Sequence, residues 1–231
     1  GPAFEGGHIK QGMRAAKGAI ERVRIVDKKV EYQTIGNAPP IGICGSGVMD
    51  ALAQMYLAGV IDESGRFAKE FPGIIKAEDG TAEFVLAERD DNGEKIPIVM
   101  NQKDVRELQL AKAAIRSGIQ LLVERNGFKE EDIDRFIVAG AFGTYIDMDS
   151  SMISGLLPTL PKERFEQVGN AAGIGARMNL ISMAKRKEAW DFVTRANYIE
   201  LAGTVEFKQA FVATSYLGQY RLNKGKREKI K

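Results

Sequence analysis

The stretch FIVAGAFG, residues 136–143, decides the fold of this 231-residue chain. Four residues that are mostly large and apolar run directly into small ones, a pattern that predicts a buried strand ending near Gly140. A flat ligand can lie against the backbone where a strand of an α/β sheet ends in glycine, because no side chain holds the ligand off. A strand that simply turns at this point would show the same pattern. The candidate contacts are therefore Gly140, Ala141, Phe142 and Gly143.

Strands and helices are predicted to alternate around this stretch. Apolar residues recur with the helical period over residues 102–125, and the charged first turn of this helix is typical of capping. The pattern after the helix predicts strands at 135–139, 165–168 and 198–201 and helices near 150–157, 170–184, 188–196 and 204–216. This alternation indicates a layered α/β sheet flanked by helices.

The first hundred residues predict a different arrangement, dominated by hairpins. Strand-period alternation places one hairpin at 19–26 and 29–34, and another at 82–88 and 95–100 with Asn92-Gly93 in its turn. A short helix is expected over residues 3–16, and a second one over 48–57 that stops at Gly59.

A second candidate site precedes that second helix, at Gly45-Ser46-Gly47. Backbone amides at a helix start favour an anion, and glycine lets a phosphate approach closely. The sequence lacks the lysine and the spacing of a Walker loop, so a tight strand-to-helix turn with a buried Cys44 is the competing interpretation.

Composition excludes several classes of protein and of site. With 33 basic and 31 acidic residues the net charge is +2, and the body without its last eight residues is close to neutral, which argues against a nucleic-acid-binding face. No apolar run approaches the roughly 20 residues of a membrane span. His8 is the only histidine and Cys44 the only cysteine, so no metal site and no His-based catalytic residue is predicted. A lone cysteine also indicates a reducing compartment, and we expect the protein to be cytoplasmic.

The C-terminal residues 224–231 carry five basic side chains and one acidic one. We expect residues 218–231 to form a basic tail whose end is solvated and frayed, with docking to an acidic partner as the alternative.

Taken in order, these segments resemble a known family. The runs at residues 1–6, 42–47, 102–112, 139–143 and 168–173 are similar to the C-terminal ATPase domain of the reductive activators of corrinoid proteins, over about residues 1–217. That domain belongs to the actin, sugar kinase and heat-shock chaperone ATPase (ASKHA) superfamily. The resemblance implies an α/β, ribonuclease-H-like (actin-like ATPase) second lobe, with a mixed sheet flanked by helices. It also implies an inserted α+β subdomain over about residues 18–100.

The resemblance also implies a function and a set of ligands. The family binds ATP, whose hydrolysis helps an iron–sulfur domain of the same polypeptide return a corrinoid protein from cob(II)amide to cob(I)amide. ATP or ADP with Mg²⁺ would bind here, with Gly140 to Gly143 against adenosine, and Gly45, Ser46 and Gly47 would lie on the nucleotide side. Gly1, Pro2 and Glu5 would lie on the other side of the nucleotide, with Glu5 at the ribose hydroxyls. The 2Fe-2S cluster is expected only in an N-terminal part that this chain lacks.

Some features of the family pattern are missing. The Asp-x-Gly-Thr phosphate turns and the ferredoxin cysteines do not occur, so we expect the chain alone not to turn over ATP, and no catalytic residue is assigned. A small-molecule kinase would need those turns and a catalytic acid. A nucleotide-independent docking module for a corrinoid protein remains the alternative, and a homodimer of the full-length protein remains open.

Overall fold

A computed structural model describes residues 2–223 and 226–230. The first half contains two small three-stranded sheets. Strands β1 (Ala19–Val26) and β2 (Lys29–Thr34) form the expected antiparallel hairpin, and β3 (Gly42–Ile43) lies parallel to β1, in the order β2-β1-β3. Helix α1 (Gly45–Ala58) follows β3 and ends at Gly59, whose φ of 77° is easily adopted by glycine. Both the hairpin and the helix stop confirm the sequence-based predictions.

The second sheet contains β4 (Ile74–Lys76), β5 (Ala82–Asp91) and β6 (Glu94–Asn101), in the order β4-β5-β6. Its β5–β6 hairpin turns at Asn92 and Gly93, both with positive φ, as the Asn-Gly pair predicts. Helix α2 (Gln102–Arg125) begins directly after β6. Asn101 and Asp104 cap its start reciprocally, which confirms that the charged first turn serves as a cap.

The second half is built on two parallel strands, β7 (Phe136–Ala139) and β8 (Phe165–Gly169). Short helices α3 (Ala141–Tyr145) and α4 (Met148–Ser154) connect them, and α5 (Ala171–Ile181), α6 (Met183–Val193) and α7 (Val205–Thr214) follow. The mixture of parallel and antiparallel strands with flanking helices agrees with the expected α/β class. No helix among the described residues is long and apolar enough to cross a bilayer.

The expected helix over residues 3–16 is wrong. Only Pro2–Glu5 forms a short 3-10 turn, because Gly6 and His8 adopt positive φ values of 80° and 65° that end any helix. The chain then adds an edge to the first sheet: Met13 N donates to Ile43 O at 2.9 Å, and Ile43 N donates to Gln11 O at 3.0 Å.

The strand expected at residues 198–201 is also wrong. The chain there is irregular, and Tyr198 is 85% exposed. Alternation alone cannot make a strand when no neighbouring strand accepts its backbone hydrogen bonds.

The C-terminal segment is a hairpin in its described part, which corrects the expectation of a frayed end. Strand β9 (Tyr220–Asn223) pairs antiparallel with β10 (Lys226–Lys229). The Tyr220 hydroxyl donates to Glu63 at 2.5 Å, and the Arg227 guanidinium lies 3.5 Å from the centre of the Tyr216 ring. The remaining tail residues, 224, 225 and 231, lie outside the described residues. Contacts distant in sequence hold this end in place.

Candidate functional site

A pocket of about 340 Å³ lies where four separate segments meet. These are the turn at residues 4–5, the segment 13–15, the start of α1, and α3. The residues that line it are Phe4, Glu5, Met13, Arg14, Ala15, Cys44, Gly45, Ser46, Ala141, Phe142 and Tyr145. Both glycine-rich stretches singled out in the sequence therefore reach the same pocket, although about 95 residues separate them in the chain.

Glycine at position 45 allows the segments to approach this closely. A Cβ atom on Gly45 would lie 1.9 Å from the carbonyl oxygen of Phe4 and 2.8 Å from Cε2 of Phe142. The rings of Phe4 and Phe142 stack with centroids 5.9 Å apart and an interplanar angle of 17°. One wall of the pocket is thus a pair of packed aromatic rings in contact with the first residue of α1.

Gly140 turns the chain from β7 into α3 and so positions the α3 residues that line the pocket. Its φ of 106° suits glycine, and its N–H donates to Gly169 O at 2.7 Å at the end of the neighbouring strand. No atom lies within 4 Å of where its Cβ would be. The side-chain amide of Gln167 then fixes α3 by donating to Gly143 O at 2.5 Å and Ile146 O at 3.1 Å.

The segment that carries Arg14 is held from two directions. Asp104, in the first turn of α2, accepts a hydrogen bond from Lys10 N at 2.8 Å, and burial raises the pKa of this carboxyl. The Gln11 side chain donates to Pro97 O at 2.8 Å and accepts from Val99 N at 2.5 Å, which ties the segment to β6. The backbone that leads into residues 13–15 is therefore held in place by both α2 and β6.

The candidate residues from the sequence divide into two groups. Glu5, Gly45, Ser46, Ala141 and Phe142 line the pocket. Gly47, Gly140 and Gly143 are not among its lining residues. Gly47 packs against Ile20 O and Gly143 packs against Val138, whereas Gly140 lies at the turn before α3. Pro2 lies in the 3-10 turn, and Gly1 is outside the described residues.

Sequence reasoning missed five other lining residues: Phe4, Met13, Arg14, Ala15 and Tyr145. A helix over 3–16 would have pointed Met13, Arg14 and Ala15 in different directions, so no sequence signal grouped them. Cys44, expected to be buried, is 1% exposed and donates from Sγ to Ile20 O at 3.3 Å.

The chemistry of the pocket is mainly apolar, with a few polar groups. Among the described residues that line it, Glu5 and Arg14 are the charged ones. The first turn of α1 has no acidic residue and no side-chain cap hydrogen bond. Nothing in the described part of the chain groups three or more His, Cys, Asp or Glu side chains as a metal site would. The site is thus suited to a flat, partly polar organic ligand.

Comparisons with known proteins agree with this architecture. A solved structure described as "Reductive activator for corrinoid,iron-sulfur protein" matches 95% of this chain and 35% of its own chain, with 41% identity and a TM-score of 0.85. The fold is that of an ASKHA domain. The chain belongs to the family described as the C-terminal ASKHA domain of RACo, whose family model matches residues 1–227.

Two curated relatives have similar sequences. The "Corrinoid activation enzyme RamQ" of Eubacterium limosum is 37% identical over 228 residues, which cover 94% of this chain and 38% of that protein. The "[Co(II) methylated amine-specific corrinoid protein] reductase" of Methanosarcina barkeri is 27% identical over 240 residues, covering 93% and 38%. The chain thus spans less than two fifths of the length of the relatives it matches.

Proposed function

We propose that this chain is the nucleotide-binding lobe of an ATP-dependent reductive activator of a corrinoid protein. The observation that carries the proposal is the convergence of Glu5, Gly45, Ser46, Ala141 and Phe142 on one pocket. Each of these residues was assigned to the nucleotide by the family resemblance. Membership of the ASKHA family and the printed names of the relatives support the same function.

The pocket offers suitable contacts for the adenosine part of ATP or ADP. The base would enter the apolar pocket beside α3, where Ala141 and Phe142 line it. The Glu5 carboxylate accepts hydrogen bonds from ribose hydroxyls, which have no negative charge to repel it. This lobe therefore binds and orients the nucleoside, and the phosphates with their Mg²⁺ extend towards the other lobe.

Reduction itself would take place outside this chain. An iron–sulfur domain outside this chain would supply the one electron that returns the partner corrinoid protein from cob(II)amide to cob(I)amide. Cys44 is the only cysteine here and is buried, so it does not fit a cluster that needs about four thiolates. Because phosphoryl transfer needs groups that hold the phosphates from both lobes, the chain alone is expected to show no steady-state ATPase rate.

The test is a nucleotide-dependent shift in melting temperature with two matched variants. Ala141 and Ala171 are both exposed first residues of helices that follow β7 and β8, but only Ala141 lines the pocket. Millimolar ATP or ADP with Mg²⁺ should raise the melting temperature of the wild type saturably. Ala141→Trp should abolish the shift by filling the pocket, whereas Ala171→Trp should keep it. Equal shifts in both variants would contradict the proposed pocket.

A docking role without nucleotide is favoured by a separate observation. Helices α5 and α6 contain no buried residue, and several large apolar side chains on them are exposed, namely Ile174, Met178, Leu180, Ile181, Met183, Trp190, Phe192 and Val193. The test is to immobilise the chain and measure how much corrinoid protein it retains with and without ATP. Equal retention in both conditions, together with no nucleotide-dependent shift in melting temperature, would support docking over nucleotide binding.

A further inference from the structure

We propose that Arg14 recognises the purine ring, with its guanidinium stacked on a face of the base. This inference rests on the nucleotide binding proposed above and assigns a residue that neither the sequence pattern nor the relatives' names indicate. It starts from the position of Arg14 on the wall of the 340 Å³ pocket, between Met13 and Ala15, which also line it.

The aromatic and apolar lining of the pocket favours a flat, uncharged part of the ligand beside Arg14. The described lining is largely apolar, with Phe4, Phe142 and Tyr145 among its side chains, and Glu5 is the acidic group. Across residues 2–223 and 226–230 Arg14 forms no ion pair or side-chain hydrogen bond, so its guanidinium is not committed to a carboxylate. A planar, weakly hydrated guanidinium stacks well on aromatic faces, and a purine is the flat aromatic group that such a pocket would hold.

The backbone under Arg14 is fixed while the side chain remains exposed. Hydrogen bonds from Lys10 to Asp104, from Gln11 to β6 and between Met13 and Ile43 hold the segment on both sides. A side chain on such a fixed segment loses little backbone freedom when it closes over a ligand. Arg14 can therefore contact the ligand directly from the wall of the pocket.

Binding of adenosine and of ADP to Arg14 variants tests the proposal, because adenosine carries no phosphate. Loss of one exposed cation–π contact should weaken both ligands by the same factor, about 2- to 5-fold, in Arg14→Ala. Arg14→Lys should restore only part of the affinity, since an ammonium lacks the planar face. Arg24→Ala, an exposed arginine at a different cavity, should bind both ligands like the wild type.

A spectroscopic readout separates stacking from a structural role. In an isotope-labelled chain the Arg14 δ-methylene resonances should move upfield when adenosine is added, because they enter the shielding region of the purine ring. The melting temperature of Arg14→Ala without ligand should equal that of the wild type.

Each contrary result has a distinct meaning. If Arg14→Ala weakens ADP but leaves adenosine unchanged, Arg14 contacts a phosphate and the stacking proposal is wrong. If neither affinity changes while the wild type binds both ligands, Arg14 has no role and nucleotide binding still stands. If the wild type binds neither adenosine nor ADP at millimolar concentration, the proposed nucleotide function fails and this inference fails with it.

Discussion

Replacing Gly45 by alanine tests the close approach that forms the pocket. The added Cβ would lie 1.9 Å from the Phe4 carbonyl oxygen and 2.8 Å from the Phe142 ring, far inside any van der Waals contact. The Phe4 carbonyl belongs to the backbone and cannot swing away as a flexible side chain can, so the turn at residues 2–5 must move and the Phe142 ring must shift. Overpacking of this kind costs about 1–3 kcal/mol, and the better helix propensity of alanine offsets about 0.5–1 kcal/mol of that.

Gly175 is the matched control for this substitution. It lies inside α5, and no atom is within 4 Å of its hypothetical Cβ. Gly175→Ala should therefore show the helix-propensity gain alone, about 0.5–1 kcal/mol of added stability. In a chain of this length 1 kcal/mol corresponds to a melting shift of about 2–4 °C.

The assay is thermal unfolding followed by circular dichroism, with urea unfolding as a second measure. We expect Gly45→Ala to melt several degrees below the wild type and Gly175→Ala to melt slightly above it. The nucleotide-dependent shift should also disappear in Gly45→Ala. If both variants gain stability equally, Gly45 does not contact Phe4 as the structure shows, and the account of how the pocket is built is refuted.

Three further predictions concern stability. Burial lowers the pKa of Lys112 from 10.5 to about 7. Between these pH values the unfolded chain binds more protons than the folded chain, so the free energy of unfolding should rise with pH across this window. Urea titrations should show this rise in the wild type but not in Lys112→Met. Glu130→Ala leaves the buried Arg116 guanidinium without its carboxylate partner and should lower the free energy of unfolding by about 3–5 kcal/mol in the same assay. A melting temperature unchanged from the wild type would contradict this prediction. Glu188→Ala removes an exposed i,i+3 pair with Lys185 and should change stability by less than about 0.5 kcal/mol, so an effect matching that of Glu130→Ala would be contrary evidence.

Local periodicity predicted the regular elements well for a physical reason. The long helix α2 and the hairpins β1–β2 and β5–β6 depend on contacts between residues close in sequence and on their caps and turns. The strand wrongly predicted at residues 198–201 would have needed a partner strand, and the hairpin β9–β10 needed Tyr216 and Glu63 to hold it. Whether these two segments form strands depends on tertiary contacts that no local sequence pattern encodes.

The candidate site likewise combines residues that the sequence pattern identified with residues that only the tertiary structure brings to the pocket. The two glycine-rich stretches were visible in the sequence, and the family resemblance assigned both to one ligand. Arg14 and Tyr145 could not be placed, because their position depends on the turn at Gly6 and on where α3 ends. Sequence thus identified candidate residues, and the fold decided which of them share a pocket.

The most direct test of the central claim is photo-crosslinking with 8-azido-ATP followed by peptide mapping. The account predicts a label on residues 4–15, 44–46 or 141–145 that excess ATP competes away. A label confined to α5 and α6, or one that ATP does not reduce, would contradict nucleotide binding in this pocket.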